Sequence, residues 1–392
     1  MRIGIFTDTY FPDINGVATA TKIQRDILLE QGNDVYVVTT GLKGQKEPSF
    51  EDGIIRIPGK PLKSLYNYRM SFFFNRFAYD ILKAAKLDLI HVQQEFGISL
   101  FGRLCAKRFD IPLVYTCHTS YEDYTSYLSH GRKIPDKLAK KAVKAVIHHL
   151  GQARGQIITP SLKSMRMLRE YNIDRHIAVI PNAVDFSRFL TPLLPEEKDN
   201  FLRRENLLGK KIVLWLGRLG KEKNLEESID GFLAYKRDYG KEDVAMLVVG
   251  DGPDKEYFLK KYGESIGKDL LFLGKVEHDR TAFFYRIADV FLSSSTTETQ
   301  GLTYSEAMAC ETLVLAKYDF NLERLIEDGV TGFLYDEKKN LAKKLDAIFS
   351  MTQEERDLIR RRGFNRCLLL FSRNSYYERL MNVYERALRE NF

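Results

Sequence analysis

Residues 211–218 read KIVLWLGR, and this stretch decides the fold. An apolar run of this length is typical of a strand that is buried inside a sheet. It ends at a glycine and an arginine, so a polar loop follows directly. A helical pattern then occupies Leu225–Tyr235, and a second apolar run, AMLVV, covers Ala245–Val249. Strands that alternate with helices predict an α/β domain, in which helices cover both faces of a parallel sheet.

The alternation of strands and helices occurs twice along the chain, once before residue 182 and once after it. Before residue 182, strands are predicted at Met1–Phe6, Asp34–Thr39, Leu87–Val92, Leu113–Thr116, Gln156–Thr159 and Ile177–Ile180. After it, they are predicted at Lys211–Leu216, Ala245–Val249, Leu270–Leu273, Val290–Leu292 and Thr312–Ala316. Helices are predicted near Ala18–Gln31, Ile98–Phe109, Leu225–Tyr235, Lys255–Tyr262, Thr281–Ile287, Leu302–Ala309 and Arg373–Arg389.

The boundary between the two rounds lies near Pro181, Pro192 and Pro195, which interrupt the pattern. We therefore expect two doubly wound α/β domains, over residues 1–182 and 183–372, that face a central cleft. The last helix, within residues 373–392, is long enough that it could cross back to the first domain.

The composition excludes several classes of protein. The chain has 392 residues, of which 44% are hydrophobic and 29% charged, close to the average of globular domains and unlike a disordered chain. No apolar run approaches the roughly 18 residues of a membrane-spanning helix. Asp8 follows the first residues too early for a signal peptide, so we expect a cytoplasmic location.

The cysteines indicate neither a metal site nor a redox motif. The chain has four of them, Cys105, Cys117, Cys310 and Cys367. None belongs to a C-x-x-C pair, the spacing that zinc and disulfide chemistry most often uses. We expect reduced, mostly buried thiols.

Positive charge is concentrated in the first half of the chain. Residues 1–182 carry 26 Lys and Arg against 17 Asp and Glu, a net charge of +9, whereas residues 183–392 carry 34 against 36, a net charge of −2. Such asymmetry predicts that the first half meets an anionic partner. Nucleic acid, an anionic membrane and a phosphorylated small molecule all fit this observation.

Two strand-to-helix loops contain residues that suit a phosphate, and a third loop suits close backbone packing. Gly16 precedes a helix and would let backbone N–H groups approach an anion, although a simple turn is the plainer interpretation. Arg218 and Lys223 lie five residues apart in one loop, which suits a diphosphate or, alternatively, a solvated turn. The sequence Gly250-Asp251-Gly252-Pro253 predicts close backbone packing near the same edge.

The stretch SSSTTETQGLTYSEA, residues 293–307, is the richest in possible chemistry. A helix beginning near Gly301 would leave the amides of Gly301, Leu302 and Thr303 free to hold an anion. Glu298 lies before this helix and Glu306 within it, so both could accept hydrogen bonds from hydroxyl groups. A nucleotide-sugar offers a diphosphate between two sets of hydroxyls; a helix cap with a surface Glu is the simpler alternative.

His118 follows the strand Leu113–Thr116, where it would lie at the cleft. A packed or capping histidine is the simpler interpretation. Glu122 and Asp123 are near enough in sequence to act as a base or to bind an acceptor. No Ser/His/Asp arrangement is evident.

Two basic stretches account for the positive charge. Residues 63–86 combine five Lys or Arg with seven aromatic residues, and residues 134–150 place Lys side chains around an apolar helical stripe. Such segments can lie in a lipid interface, where each basic residue near an anionic leaflet contributes about 1 kcal/mol. Ordinary domain helices with a solvated Lys face would look similar. Stacking of nucleic-acid bases on the aromatics would leave the diphosphate features unexplained.

In this order, several motifs together resemble glycosyltransferase family 4. They are Asn15-Gly16-Val17, His118, Ile180-Pro181-Asn182-Ala183-Val184-Asp185, Gly217-Arg218 with Lys223, Gly250-Asp251-Gly252-Pro253, and Glu298 with Glu306. The resemblance covers essentially the whole chain, with Ala183 standing where a glycine is common. It implies the GT-B fold, with two Rossmann-like domains facing a central cleft, and transfer with retention of the anomeric configuration.

A narrower resemblance is to the α-monoglucosyldiacylglycerol synthases of that family. It rests on residues 4–12 (GIFTDTYFP), 118–124 (HTSYEDY) and 298–303 (ETQGLT), and on the basic aromatic character of residues 63–86. It implies that glucose passes from UDP-glucose to the 3-hydroxyl of 1,2-diacylglycerol. It also implies a peripheral position on the inner face of the cell membrane, with an anionic lipid surface as partner and no nucleic acid.

The resemblance implies a role for each candidate residue. Gly16 and the amides of Gly301, Leu302 and Thr303 would hold the diphosphate. Arg218 and Lys223 would neutralise charge on the departing UDP, and Glu306 would accept from the ribose. Glu298 would hold the glucose, and His118 would position the sugar or stabilise its oxocarbenium-like centre. The remaining implied donor-binding residue is Val276.

The acceptor and membrane residues are implied in the same way. The acceptor would meet Tyr121, Glu122 and Asp123. Membrane docking would use Lys63, Arg69, Phe72, Phe73, Arg76, Lys83, Lys137, Lys140, Lys141 and Lys144. No tightly bound cofactor is expected, although Mg²⁺ could assist through the membrane or the released UDP.

Two other hypotheses remain open on the sequence. A family 4 transferase could use another nucleotide-sugar or another acceptor, such as phosphatidylinositol, a glycolipid or a soluble sugar. A non-catalytic protein that binds membranes or nucleic acid is the hypothesis from a different class. The joint presence of Arg218, Lys223, Glu298 and Glu306 argues against a degenerate site.

Overall fold

The computed structural model describes residues 1–390, apart from residues 14, 63–67, 72, 96, 119–143, 152–154 and 297–299. For residues 61, 62, 68–70, 188 and 278 it describes the backbone alone. The chain divides into two compact units. Unit 1 comprises Met1–Ala183 and Arg373–Phe392, and unit 2 comprises Val184–Ser372. The division thus falls one residue beyond the expected boundary, and the last helix belongs to unit 1.

Unit 1 is built on an eight-stranded sheet. Its strands are β1 (Arg2–Phe6), β2 (Asp34–Thr40), β3 (Ser49–Glu51), β4 (Ile54–Ile57), β7 (Leu89–Val92), β8 (Leu113–Thr116), β9 (Gln156–Thr159) and β10 (Ile177–Val179), and a separate hairpin pairs β5 (Gly59–Leu62) with β6 (Tyr68–Ser71). Its helices are α1 (Gly16–Glu30), α2 (Arg76–Ala85), α3 (Gly97–Phe109), α4 (Leu162–Glu170) and α13 (Arg373–Glu390). The strand order is β10-β9-β8-β7-β1-β2-β4-β3, and all pairs are parallel except β3 with β4.

Alternate residues of the unit 1 strands face two different helical layers. Phe6, Ile90 and Val92 pack on one face with residues of α2, α3 and α4. Ile3 and Ile5 pack on the other, together with side chains of α1 and α13. Helix α13 is thus part of the second layer of unit 1, and its residues Tyr376, Leu380 and Tyr384 are buried there.

Unit 2 is built on a six-stranded parallel sheet. Its strands are β11 (Lys211–Leu216), β12 (Val244–Val249), β13 (Leu270–Gly274), β14 (Val290–Ser293), β15 (Leu313–Lys317) and β16 (Phe333–Tyr335), in the order β13-β12-β11-β14-β15-β16. Its helices are α5 (Ser187–Leu190), α6 (Pro195–Arg204), α7 (Leu225–Tyr239), α8 (Lys255–Lys261), α9 (Thr281–Ile287), α10 (Leu302–Ala309), α11 (Lys338–Ser350) and α12 (Gln353–Phe371).

The strand order of unit 2 reverses between β11 and β14. The chain proceeds outward from β11 through β12 to β13, and then from β14 through β15 to β16 on the other side. Ligands of doubly wound sheets bind at such a reversal, beyond the carboxyl ends of the strands. Unit 1 reverses in the same way between β1 and β7.

The expected α/β architecture with two parallel sheets is therefore confirmed, and some elements were not predicted. Strand β6 and helix α2 lie within the basic aromatic stretch 63–86, and β5, the hairpin partner of β6, directly precedes it. Strand β16 and helices α11 and α12 occupy residues beyond the last predicted strand. All four cysteines are free and buried, as expected.

Candidate active site

A pocket of about 250 Å³ opens at the carboxyl edge of the unit 2 sheet. Its walls are the ends of β11, β12 and β13 and the start of α9; they comprise Leu216, Gly217, Arg218, Val249, Gly250, Asp251, Lys275, Val276 and Thr281. Two predicted donor-binding residues, Arg218 and Val276, are thus brought together. Lys275, which the sequence analysis did not single out, adds a second cation to the same wall.

The glycines of the β12 loop let two backbone segments touch at this pocket. A Cβ on Gly250, whose φ is +140°, would lie 1.8 Å from the carbonyl oxygen of Gly217. A Cβ on Gly252 would lie 2.3 Å from the carbonyl oxygen of Leu219. The Leu219 amide also donates to the carbonyl of Asp251 at 3.1 Å. The position of Arg218 is therefore fixed by backbone packing on both sides.

Arg218 and Lys223 differ in their surroundings. Arg218 is exposed, and its guanidinium makes no hydrogen bond or ion pair with any residue that the structure describes. Lys223 is half-buried at the end of a 3₁₀ turn, with its amide donating to the carbonyl of Gly220 at 3.0 Å. Lys223 does not line the 250 Å³ pocket. The exposed guanidinium of Arg218 can therefore bind an anion through several N–H donors that lie in one plane.

Helix α10 begins on the other side of the strand reversal. Gly301 precedes it with a left-handed φ of +69°, and a Cβ there would come within 2.5 Å of the Tyr304 ring. The amides of Leu302 and Thr303 follow in the first turn, where backbone N–H groups lack acceptors within the helix. The first turn contains no acidic side chain, so its positive end is available to an anion.

Glu306 lies one turn into α10 and is 9% exposed. The hydroxyl of Tyr285, on α9, donates to its Oε2 at 3.0 Å. The carboxylate is thereby oriented while remaining a hydrogen-bond acceptor. Glu298, the other predicted carboxylate of this region, lies outside the described residues.

A buried polar cluster beside the same loop was missed by the sequence analysis. The Lys317 ammonium donates to Glu227 Oε2 at 2.7 Å, and the Asn224 amide donates to the same oxygen at 2.6 Å. Ser294, at the start of the loop toward α10, accepts from the hydroxyl of Tyr335 at 2.6 Å. A lysine that ends the buried strand β15 was the one sequence signal that could have revealed the cluster.

The predicted residues of unit 1 lie at the carboxyl edge of its sheet. His118 follows β8, and its Nε2 lies 2.7 Å from Gln93 Oε1, which follows β7. Burial lowers the pKa of His118 to about 4, so the ring is neutral at physiological pH. A neutral imidazole can act as a hydrogen-bond donor or acceptor.

Gly16 begins α1, directly after β1 and its loop. The Asn15 side chain accepts from the Ala18 amide at 2.9 Å and thereby caps the helix. Gly16 has no positive φ, and a Cβ on it would meet nothing within 4 Å. Neither backbone strain nor a protein neighbour therefore requires glycine here, which leaves open space at the helix start for a ligand.

The predicted acceptor residues Tyr121, Glu122 and Asp123 lie outside the described residues. So do the predicted docking residues Lys63, Phe72, Lys137, Lys140 and Lys141, and Arg69 is described by its backbone alone on β6.

The described docking residues fall into two groups. Phe73, Arg76 and Lys83 are exposed on and beside α2, and Phe77 next to them is 41% exposed. Lys144 is instead engaged within unit 1, where its ammonium donates to the carbonyl of Glu170 at 2.5 Å and lies over the Tyr171 ring.

The described parts of the chain contain neither a metal-binding cluster nor a helix that could span a membrane. No group of three or more His, Cys, Asp or Glu side chains there is arranged to hold a metal ion. Likewise, no described helix is both long enough and apolar enough to cross a membrane.

The sequence matches two family models, which together span most of the chain. One is described as Glycosyltransferase Family 4 and matches residues 14–188; the other is described as Glycosyl transferases group 1 and matches residues 197–365. The first contains Gly16 and His118, and the second contains Arg218, Lys223 and Glu306.

Two relatives carry the name alpha-monoglucosyldiacylglycerol synthase. The protein from Streptococcus pneumoniae is 35% identical over 87% of this chain and 77% of its own length. That from Acholeplasma laidlawii is 33% identical over 88% of this chain and 87% of its own length. Among solved structures, Anabaena Alr3699/HepE in complex with UDP aligns over 98% of this chain and 100% of that one, with a TM-score of 0.71 and 18% identity.

Proposed function

Because the chain belongs to glycosyltransferase family 4 and has the GT-B fold, we propose that this glycosyltransferase makes α-monoglucosyldiacylglycerol. In the proposed reaction, glucose passes from UDP-glucose to the 3-hydroxyl of 1,2-diacylglycerol with retention of configuration. The observation that carries the proposal is the identity of 35% and 33% to two synthases of that name, over most of the chain.

The donor half of the proposal is supported by the edge of the unit 2 sheet. UDP would place its diphosphate between Arg218 and the first-turn amides of α10, because both lie beside the strand reversal and, among the described residues, no acidic side chain caps that helix or pairs with Arg218. Glu306 would accept hydrogen bonds from the ribose hydroxyls. The UDP bound in the structural neighbour supports a nucleotide of this kind.

The chemical step would depend on electrostatics. As the bond between C1 of glucose and the phosphate oxygen breaks, negative charge grows on UDP, and Arg218 and Lys223 would stabilise it. Removal of one such preorganised group typically costs 10²–10³ in kcat. The departing phosphate would take the proton from the acceptor hydroxyl on the same face of the sugar, so that the new bond forms with retention and without a protein nucleophile.

Neutral His118 would position the transferred sugar in this scheme, and Glu298 would hold the sugar's hydroxyls. We propose no resident metal. A Mg²⁺ ion that assists turnover would bind the released UDP or the anionic lipid.

The acceptor half is supported by the charge and the exposed aromatics of unit 1. Phe73 is 64% exposed and Phe77 is 41% exposed, with Arg76 and Lys83 near them in the α2 region. Exposed aromatic rings beside basic side chains suit a peripheral contact with an anionic lipid surface. The net charge of +9 on residues 1–182 favours the same surface.

The test is product formation from UDP-[¹⁴C]glucose with diacylglycerol in vesicles, with and without an anionic lipid. We expect a labelled monoglucosyl lipid whose yield rises with anionic lipid. The double variant Phe73→Ser/Phe77→Ser should lose most of that rise. The matched control is Leu208→Ser, which removes a comparably exposed apolar side chain from unit 2.

Each possible result of this assay tests a different part of the proposal: the acceptor, the docking surface or the donor. Slow release of UDP without a lipid product would contradict the acceptor and retain the transferase. A glucolipid yield that is indifferent to anionic lipid would contradict the docking role of the α2 region. A labelled lipid formed only from another nucleotide-sugar would contradict the donor.

A further inference from the structure

A continuous chain of buried polar side chains in unit 1 leads from His118 to helix α13. His118 Nε2 lies 2.7 Å from Gln93 Oε1, and the Gln93 amide nitrogen donates to Gln24 Oε1 at 3.0 Å. Gln24 on α1 in turn contacts Tyr376 and Tyr384 of α13. We call Gln93, Gln24, Tyr376 and Tyr384 the glutamine relay.

Gln24 is the fully bonded centre of the relay. Its Oε1 accepts from Gln93 and from the Tyr376 hydroxyl at 3.0 Å. Its Nε2 donates to His91 Nδ1 at 2.9 Å and to the Tyr384 hydroxyl at 3.0 Å. A carboxamide has two donors and two accepting lone pairs, so all four are used. Gln24 and Gln93 are 2% and 1% exposed, so both amides are shielded from water in the orientation that these bonds define.

This orientation determines which nitrogen of His118 carries the proton. Because the Gln93 nitrogen donates to Gln24, the Gln93 oxygen is the atom that faces His118. A carbonyl oxygen only accepts, so His118 Nε2 must donate its proton. His118 Nδ1 then keeps its lone pair, and it makes no hydrogen bond with any described residue.

We propose that Gln93 is a positioning residue, which fixes the Nε2–H tautomer of His118 so that Nδ1 accepts a hydrogen bond from a hydroxyl of the transferred hexose. Helix α13 supports this geometry through Gln24. The identity of the ligand rests on the proposed function, whereas the tautomer rests on unit 1 alone. Of the two roles considered for His118, the proposal concerns the first, in which the Nδ1 lone pair positions the sugar by accepting a hydrogen bond.

The direct test is the ¹⁵N NMR signature of His118 in protein labelled at histidine. His118 is identified among the seven histidines by the loss of its signals in His118→Gln. We expect the native protein to show a protonated Nε2 and an unprotonated Nδ1. We expect Gln93→Leu to show the other tautomer or a mixture. The control is Thr39→Val, which alters a buried strand residue whose hydroxyl has no partner in the described structure.

The kinetic test distinguishes positioning from a purely structural role. Groups that hydrogen-bond a metal-ligating histidine typically matter 10–100-fold, and by analogy we expect kcat to fall by about that factor in Gln93→Leu. In the His118→Gln background, the same change should cost nothing further, because the group that Gln93 positions is already absent. An equal loss in both backgrounds would overturn the proposal, and so would an unchanged tautomer in Gln93→Leu.

A second variant keeps the proposal testable if Gln93→Leu does not fold. The double change Tyr376→Phe/Tyr384→Phe removes two bonds of Gln24 and retains both rings. It should shift the His118 tautomer in the same direction, and an unaltered ¹⁵N signature would overturn the support from α13. If the native tautomer is as expected but no glucolipid forms with diacylglycerol, the relay stands and the proposed function fails.

Discussion

Replacing Gly250 by alanine should impair donor use in addition to destabilising unit 2. Gly250 directly follows β12 and has a φ of +140°, and its amide donates to the carbonyl of Gly274 at 2.8 Å. A methyl group there would lie 1.8 Å from the carbonyl oxygen of Gly217, the residue that directly precedes Arg218. The added carbon therefore pushes directly on the segment that presents the guanidinium.

The size of the displacement follows from the same contact. Real Cβ atoms essentially never approach another atom closer than 3.0 Å. The methyl group and the Gly217 oxygen must therefore separate by about a further 1.2 Å, which close-packed surroundings resist. A shift of about 1 Å in a positioning group can cost about 100-fold in rate. We therefore expect kcat/KM for the donor to fall by roughly two orders of magnitude.

The assay compares steady-state UDP release with the free energy of unfolding in urea. The control is Gly240→Ala, because Gly240 also has a positive φ of +61° but its added Cβ would meet nothing within 4 Å. The control should lose about 1 kcal/mol through left-handed backbone strain and retain its kinetics. The reasoning is refuted if Gly250→Ala keeps the donor kcat/KM of the control.

Three further predictions concern single side chains. Glu306→Gln should raise the donor KM about tenfold, because hydrogen bonds from ribose hydroxyls to a charged acceptor become bonds to a neutral one; an unchanged KM in a donor titration would contradict the ribose role. Glu298→Gln should retain partial activity and give no covalent glucosyl adduct by mass spectrometry; an adduct on Glu298 of the native enzyme would contradict the same-face step. His91 is fully buried, which lowers its pKa from 6.5 to about 3. The folded protein therefore favours the neutral ring, and this stabilisation is complete above pH 6.5 and is lost as the pH falls from 6.5 toward 3. Between pH 7 and pH 5 the native protein should therefore lose about 2 kcal/mol of unfolding free energy that His91→Gln does not lose. Urea titrations at the two pH values test this. The control is His149→Gln, which changes an exposed histidine and should lose as much as the native protein.

The regular elements were predictable where buried strands are short and uniformly apolar. Leu113–Thr116, Gln156–Thr159 and Lys211–Leu216 were predicted with the bounds that the structure gives. A strand buried on both faces needs no alternation, and each of these three strands has a polar residue at one end at least.

Helix α12 shows why other elements escaped prediction. Its inner face combines Ile359 with the small residues Gly363 and Cys367, whereas Leu358 and Leu369 are exposed. Its hydrophobicity therefore does not reveal which face is buried. Small residues pack well against a neighbouring helix but give a weak apolar signal in the sequence.

In the candidate site, too, some contacts could be predicted from the sequence and others could not. Arg218 and Val276 could be placed at one sheet edge, because parallel strands carry the loops that follow them to the same side. The partnership of Glu227 with Lys317 spans 90 residues, and that of Gln24 with Tyr376 spans 352. No local pattern encodes such pairs, since they arise only when helices and strands have packed.

The local charge of unit 2, and not its net charge, explains how it can bind an anionic donor substrate. Residues 183–392 carry a net charge of −2, yet Arg218 and Lys275 stand together on the wall of one pocket. The fields of distant exposed charges are screened within about 8 Å at physiological ionic strength, so an anion in that pocket experiences mainly the charges that line it. These are the two cations and the carboxylate of Asp251, which is itself paired with Lys255 at 3.3 Å. The excess of positive charge in residues 1–182 can act only on a partner that is broad enough to contact many of those residues at once. A membrane surface has that breadth and a nucleotide-sugar does not, so the two halves of the chain suit the two proposed substrates through charge arranged on different length scales.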